Sequence, residues 1–383
     1  MIQRIYNLSK SRSFFLLGPR GVGKSTLLKQ WKQGLSVYFV DLLDPSVESH
    51  YSLHPERLIE DWKAQKTEWI VIDEIQKNPE LLNVVHLGIA EYKIKFALTG
   101  SSARKIRRNA ANLLGGRASE FKMHPLTHIE LKHQFNLIDV LKYGTLPEIH
   151  TLDQTEKIRA LYAYVSTYLK EEVLVEQIIR KIEPFRRFLE VAGQMNGKIL
   201  NYRKISIDSG VEQKSVARYY QILEDTLLGF FLEPYHQSIR KRQSQKAKFY
   251  FFDTGVTRAL QNTVKLDVTE QTTTYGDLFE QFVFLEFVRL NDIFEKRFKF
   301  SYLKTKDNVE VDLIIERPGQ PIVLVEIKSS RKVDQNHGDH LIRLQSDFKN
   351  AEMYVLNNSN SASVIKNVKH VNWQKGLKEI FEI

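Results

Sequence analysis

Gly18-Pro19-Arg20-Gly21-Val22-Gly23-Lys24-Ser25 has the spacing G-x-x-x-x-G-K-[ST] of a phosphate-binding loop. Glycine lets the backbone wrap an anion without a side-chain clash, and a helix amino terminus offers unpaired N–H groups with a positive dipole end. Lys24 is placed to reach the β- and γ-phosphates of ATP, and the Ser25 hydroxyl is a hard oxygen ligand suited to Mg²⁺. Thr26 opens the helical run Thr26–Trp31 and closes the expected nucleotide contacts. The apolar strand Phe14–Leu17 before the loop and the helix after it argue against a chance glycine-rich turn.

A second apolar run, Trp69-Ile70-Val71-Ile72, leads straight into Asp73-Glu74, the Walker B pattern. Asp73 is expected to hold Mg²⁺ and Glu74 to polarise the attacking water. Two acids rather than one favour hydrolysis over binding alone. Phe96-Ala97-Leu98-Thr99 ends in polar residues. Thr99 and Ser101 either position the water and sense the γ-phosphate or cap the loop. Arg104, Lys105, Arg107 and Arg108 follow, then Gly115-Gly116-Arg117. Arg117 is either an arginine finger acting in a neighbouring subunit or a solvated arginine.

A third constellation lies near the carboxy terminus. Asp312 stands in the strand pattern Glu310–Ile315, and Glu326 and Lys328 stand in Ile322–Lys328. Side chains alternate along a strand, so Glu326 and Lys328 share one face, as do Glu310 and Asp312. Glu280, in the helical pattern Gly276–Leu290, shares its face with Val283, Phe284 and Phe287, an odd place for a carboxylate unless it meets a partner or a metal.

The elements that must position these groups follow from the pattern. Near-continuous apolar runs at Phe14–Leu17, Val37–Val40, Trp69–Ile72 and Phe96–Thr99 predict a parallel sheet covered on both faces. From Pro125 to about Lys181 the pattern is helical, and Phe185, Phe188, Leu189, Ala192 and Met195 continue it up to Gly197. Asn201–Ser209, a turn at Gly210 and Gln213–Leu228 predict a helix-turn-helix that exposes Lys214, Ser215, Arg218 and Gln221. Strands Gly229–Leu232 and Phe249–Phe252 flank a basic hairpin with Arg240-Lys241-Arg242, the form of a DNA-contacting wing; packing or a hinge is the other use of such a unit. Thr254–Asp277 is polar and Thr-rich and reads as a linker. A helix at Asp339–Phe348 and a strand at Met353–Leu356 complete the carboxy-terminal pattern.

Composition bounds the function. A chain of 383 residues is long enough for two to three domains. With no cysteine there are no disulfides, zinc thiolates, iron–sulfur clusters or cysteine nucleophiles. No H-x-x-x-H pair lies on a convincing helix, and Ser101-Ser102 lacks visible partners for a serine hydrolase. No signal peptide or membrane span is read, so a cytoplasmic location is expected. The net charge is +10, and fourteen basic against seven acidic residues fall between Arg180 and Lys248. That excess favours a polyanionic partner, and DNA is the expectation.

The first third resembles an AAA+ ATPase domain. It is similar to a prokaryotic ATPase family that joins this domain to a poorly characterised carboxy-terminal region. The resemblance rests on Gly18–Ser25, Ile70–Gln76, Leu98–Arg104, Gly115–Ala118 and Gly144–Glu148, and extends through Tyr168–Val173, Ser206–Leu228 and Lys248–Gly255. Relatives usually carry a second glycine and a bulky residue after the Gly144 position; here the run is Gly-Thr-Leu-Pro-Glu. Tyr275–Leu356 resembles the PD-(D/E)xK nuclease superfamily, with Asp312 as first acid and Glu326-Ile327-Lys328 as E-x-K; the resemblance implies Asp312 and Glu326 as Mg²⁺ ligands, Glu280 as completing the metal shell, and Lys328 as stabilising the attacking water or the charge developing on the phosphorane. The fold implied is α/β: an AAA+ P-loop core over 1–124, a helical lid over 125–180, a winged helix over 181–258 and a restriction-endonuclease-like domain over 259–383. A homo-oligomer assembled through the ATPase domain is the expectation from the same resemblance. Three functions stay open: a Mg²⁺-dependent, DNA-binding ATPase with metal-dependent cleavage; an ATP-switched regulator of DNA or protein with an inert nuclease-like fold; and a protein-remodelling ATPase.

Overall fold

The structure is a computed structural model that describes residues 2–101, 116–168, 182–236, 246–305, 309–332 and 334–383. The four apolar runs form strands β1 (Phe14–Leu17), β2 (Val37–Asp41), β3 (Trp69–Asp73) and β4 (Lys95–Gly100). All are parallel, in the order β2-β3-β4-β1-β5, with β5 (Ser119–Lys122) at one edge. Their apolar character is continuous because both faces are covered. Phe14, Leu16, Trp69 and Val71 face one core, and Phe15, Leu17, Ile70 and Ile72 face another. Strand β5 escapes sequence reading because Ser-Glu-Phe-Lys has a single apolar residue; pairing with β1, Phe14 opposite Ser119, makes it a strand.

Short helices follow at His128–Leu131, Leu137–Tyr143, Pro147–His150 and Gln154–Ala163. The helix Ile182–Gln194 leads to Tyr202–Ser209 and Gln213–Asp225, joined through Gly210 in the left-handed region. The last of these is three residues shorter than expected. Leu227 turns to φ 59° and the Leu228 N–H returns to the Leu223 carbonyl at 2.8 Å, a left-handed cap that ends the helix. Strands β6 (Gly229–Pro234) and β7 (Lys248–Phe251) pair antiparallel. The expected wing with Arg240, Lys241 and Arg242 lies outside the described residues, as do Arg104, Lys105, Arg107 and Arg108.

The stretch Thr254–Asp277 is not a linker. Asp253 caps a helix, Thr254–Leu260, whose seven residues are all buried, and the helix Thr273–Ile293 begins before the stretch ends. Packing overrides the polar composition: Gly255 lies so close to the Tyr143 carbonyl that a Cβ would meet it at 2.2 Å. A division at 258/259 would cut this helix.

A second, mixed sheet runs β12-β13-β11-β10-β9-β8-β6-β7. Its further strands are β8 (Lys299–Lys304), β9 (Glu310–Glu316), β10 (Val323–Ile327), β11 (Glu352–Asn357), β12 (Ser363–Ile365) and β13 (Val368–Asn372). The helix expected over 339–348 is only Asp339–Arg343. Strand β6 joins β8 in parallel, Glu233 opposite Ser301, so the middle of the chain and its carboxy-terminal part share one sheet. The helices Thr273–Ile293 and Trp373–Phe381 cover one face, together with Leu126, Leu131, Val140 and Leu141 from the segment after β5. The region between β5 and Tyr164 thus packs on both halves of the molecule. Among the described residues no helix is long and apolar enough to cross a membrane.

Candidate functional site

The loop between β1 and the helix Lys24–Trp31 wraps as its glycines allow. Gly21 and Gly23 have φ of 82° and 94°, and a Cβ on Gly18 would meet the Met123 carbonyl at 2.3 Å. Lys24 is buried and its Nζ donates to the carbonyls of Gly18 (2.8 Å) and Pro19 (3.2 Å). Gly21, Val22, Gly23, Lys24, Ser25, Thr26 and Arg20 line a cavity of about 480 Å³, into which Glu74 also reaches. Its other wall is remote in sequence: Ile2 and Arg4 precede β1, and Leu126, Pro147, Glu148 and Thr151 follow β5.

Parallel pairing brings the carboxyl ends of β1, β3 and β4 to this cavity. Ser25 Oγ donates to Asp73 Oδ2 at 2.7 Å, and Thr99 Oγ1 donates to the other Asp73 oxygen. The same Thr99 hydroxyl accepts the Glu74 N–H at 3.0 Å. Glu74 itself is left-handed, φ 61°, a conformation that costs of order 1 kcal/mol and persists here under that bond. Its Oε1 lies 3.8 Å from Lys24 Nζ. Gln76 donates to Glu74 Oε2 and to Ser101 Oγ. Two hard oxygens in contact, on Ser25 and Asp73, fit Mg²⁺ beside bound phosphates. Arg117 is exposed at the amino-terminal edge of the sheet, next to His86, and does not reach the chain's own cavity.

Three supports of this cavity were not visible in the sequence. Arg4 donates to the Val22 carbonyl (2.8 Å), the His124 carbonyl (2.7 Å) and Glu130 (2.7 Å). Glu130 completes a capping box with Thr127; that Thr-x-x-Glu signature was readable, but its link to Arg4 was not. Tyr164 donates to the Arg20 carbonyl at 2.9 Å. The Gly144–Glu148 run is held by Asp253, whose Oδ2 accepts the Thr145 N–H at 2.8 Å. Burial pushes the Asp253 carboxyl up, against that bond and nearby Arg289, which pull it down.

Behind the cavity wall lies a buried polar joint. Arg289, on the helix Thr273–Ile293, donates to the carbonyls of Leu126 and Phe252 (both 3.0 Å), to Thr145 Oγ1 (3.1 Å) and to Glu286 (3.2 Å). Glu286 also accepts from the His128 N–H (3.1 Å) and pairs with the His128 ring. Burial raises Glu286, but His128 and Arg289 hold it below the usual carboxylate range.

The carboxy-terminal acids converge as well. The β9–β10 register sets Val325 opposite Leu313 and brings Asp312 beside Glu326. Asp312 Oδ2 accepts the Ile327 N–H at 2.8 Å; Glu326 contacts Lys328 and, at 2.9 Å, His340. Burial, then the Glu326 and Glu280 carboxylates, push Asp312 well above the usual range. Burial also raises Glu326, but His340 and Lys328 bring it below the usual range. Glu280 accepts from Tyr250 OH at 2.6 Å and lies 3.7 Å from Lys248 Nζ, which bonds Glu310 at 2.8 Å. Lys248 and Tyr250, two apart on β7, were not singled out from sequence, because nothing there links β7 to this cluster. Among the described residues no three His, Asp or Glu side chains are arranged to hold a metal ion. Asp312 and Glu326 supply two carboxylates suited to Mg²⁺, while Glu280 is engaged by Tyr250 and Lys248.

Residues 10–132 match the family described as a AAA domain. Residues 134–270 and 275–375 match two domains of unknown function (DUF8612 and DUF4143). The chain is 23% identical over 359 residues to an uncharacterized protein of Haemophilus influenzae, covering 87% of this chain and 86% of that one. It is 23% identical over 345 residues to an uncharacterized protein of Mycobacterium tuberculosis, covering 88% and 75%. The match and the P-loop geometry together support a AAA-type ATPase domain at the amino-terminal end, followed by regions whose relatives carry no stated function.

Proposed function

We propose that the chain is a Mg²⁺-dependent ATPase that binds DNA through its middle third. The observation that carries the ATPase reading is that Lys24, Ser25 and Glu74 line one cavity, with buried Asp73 and Thr99 hydrogen-bonded directly behind Ser25 and Glu74. With ATP bound, Lys24 leaves the Gly18 and Pro19 carbonyls for the β- and γ-phosphates. Ser25 and Asp73 hold Mg²⁺, which neutralises phosphate charge when bound. Thr99 fixes Asp73 and the Glu74 backbone. Glu74 accepts a proton from the water whose oxygen attacks the γ-phosphorus as the bond to the β-phosphate oxygen breaks, giving ADP and phosphate. The test is turnover: Lys24→Ala is expected to weaken nucleotide binding, and Glu74→Gln to bind ATP and hydrolyse it only at a small residual rate, measured by single turnover. Equal turnover in wild type and Glu74→Gln removes Glu74 from the mechanism. Arg117, remote from its own cavity, acts as a finger only toward a neighbouring copy.

The helix-turn-helix and β6–β7 pair are read as a winged helix. Its support is that Arg203 and Lys204 on one of its helices, and Lys214 and Arg218 one turn apart on the next, are all exposed, residue types that contact phosphate. Neutralising Lys214 and Arg218 together is expected to weaken duplex binding for all sequences. It should also flatten the salt slope by up to about 0.9 for each DNA phosphate no longer neutralised. An unchanged slope rejects this face. A second reading, metal-dependent phosphodiester cleavage, is favoured by Asp312, Glu326 and Lys328 meeting at one point. The Lys248 ammonium between Glu280 and Glu310 favours the other outcome, an inert nuclease-like fold in an ATP-switched regulator. Nicking of supercoiled plasmid with Mg²⁺, lost in Asp312→Ala, separates them.

A further inference from the structure

Two residues past the Asp73-Glu74 pair, Gln76 sits in the short turn Ile75–Lys77 and is buried. Its Nε2 donates both to Glu74 Oε2 and, at 3.0 Å, to Ser101 Oγ. Its Oε1 has no hydrogen-bond partner among the described residues. The direction of the amide is fixed chemically, because exchanging N and O would set an oxygen against the Glu74 carboxylate. A buried amide with half its capacity unmet is costly, and an apolar side chain of equal size would avoid that cost. The cost is offset only by what the amide nitrogen does.

We infer that Gln76 is a positioning residue of the hydrolytic site, aiming the Glu74 carboxylate into the cavity. The inference rests on the ATPase reading above. Glu74 has a long side chain on a left-handed backbone, and Lys24, at 3.8 Å, is the ammonium beside it. During turnover Lys24 belongs to the phosphates, so it is not a steady anchor for Glu74. Gln76 is neutral and remains in place. A neutral donor fixes the carboxylate without pairing its charge, whereas an arginine or lysine there would form an ion pair and compete for the base. The bond to Ser101 ties this anchor to the residue following β4, so the ends of β3 and β4 hold Glu74 together.

The experiment uses the full chain with ATP and Mg²⁺. Gln76→Met keeps the length and volume but has no donor. It is expected to lower kcat about tenfold to a hundredfold, the scale of a misplaced catalytic group, with KM and nucleotide Kd within about threefold. Ser101→Ala, which takes away the second acceptor of Gln76, should lower kcat less. Because Gln76 acts through Glu74, adding Gln76→Met to Glu74→Gln should cause no further loss. The inference is overturned if Gln76→Met leaves kcat unchanged, if it weakens nucleotide binding in proportion to turnover, or if its effect is equally large in the Glu74→Gln background. A wild type that does not hydrolyse ATP, or a Glu74→Gln variant as active as wild type, overturns the ATPase reading instead, and this inference with it.

Discussion

Arg289→Met tests whether the buried joint behind the nucleotide cavity holds the two halves of the molecule together. Arg289 and Glu286 are buried on one helix, with side chains 2% and 0% exposed. Methionine fills the space of the aliphatic stem, so the cavity left is small. What is lost is polar. The Leu126 and Phe252 carbonyls and the Thr145 hydroxyl lose their donor, at about 1 kcal/mol of net stability each. Glu286 keeps His128 but loses its guanidinium, and removing one partner of a buried pair costs about 3–5 kcal/mol. These overlap rather than add, so the expected loss is about 3–5 kcal/mol. A cooperative unit of 150–250 residues moves roughly 2–4 °C per kcal/mol, which puts the fall in melting temperature at roughly 6–20 °C. The assay is thermal unfolding by circular dichroism, with and without nucleotide. Because Leu126, Pro147 and Glu148 line the cavity and Arg289 holds Leu126 and Thr145, ATP affinity should fall too, although Arg289 is not among the residues lining that cavity. Arg289→Lys, which keeps the charge but not the fork, should lie between. A melting temperature within about 2 °C of wild type, less than the shift expected for 1 kcal/mol, would refute the reasoning.

Glu286 and Asp292 both titrate below the usual carboxylate range. Burial raises each, but His128 and Arg289 on the first, and His124 and Lys122 on the second, overcome it. Their stabilisation is therefore complete above the unfolded values near 4 and is lost as pH falls through the lower folded values. The melting-temperature gap between wild type and Glu286→Gln should close as the buffer is taken below about pH 4; a constant gap contradicts this. Asp312→Asn should raise the melting temperature, since it removes a carboxylate whose charge is opposed by burial, Glu326 and Glu280 and keeps an oxygen for the Ile327 N–H; a fall would mean the cluster is structural. Gly144→Ala should cost more than about 2 kcal/mol in chemical denaturation, because φ is 76° and the new Cβ would stand 1.9 Å from Asp253 Oδ1.

The phosphate loop and the Asp73-Glu74 strand end were legible because each is contiguous. Their chemistry depends on backbone conformation within a few residues, and the glycines and the apolar run declare it. The strands β1 to β4 were legible for a related reason: burial on both faces leaves an unbroken apolar run. Strand β5 was not, since its strand state comes from the partner β1 rather than from its own residues. Asp312, Glu326 and Lys328 were named from alternation along strands, but the register that sets Asp312 beside Glu326 belongs to the ladder.

Local backbone chemistry, then, was settled by the sequence alone: where the phosphate cradle lies, which acids end β3, and which helices carry basic faces. Tertiary packing decided the rest. It alone brings Arg4 to the Val22 carbonyl, Tyr164 to the Arg20 carbonyl and Asp253 to the Gly144–Glu148 run. It alone makes Thr254–Leu260 a buried helix despite its composition, and joins β6 to β8 so that Lys248 and Tyr250 reach the carboxy-terminal acids. The physical reason is the same in each case. A motif is specified by neighbours along the chain, whereas a buried ion pair or a strand partner is specified by whichever distant group must be satisfied once water is excluded.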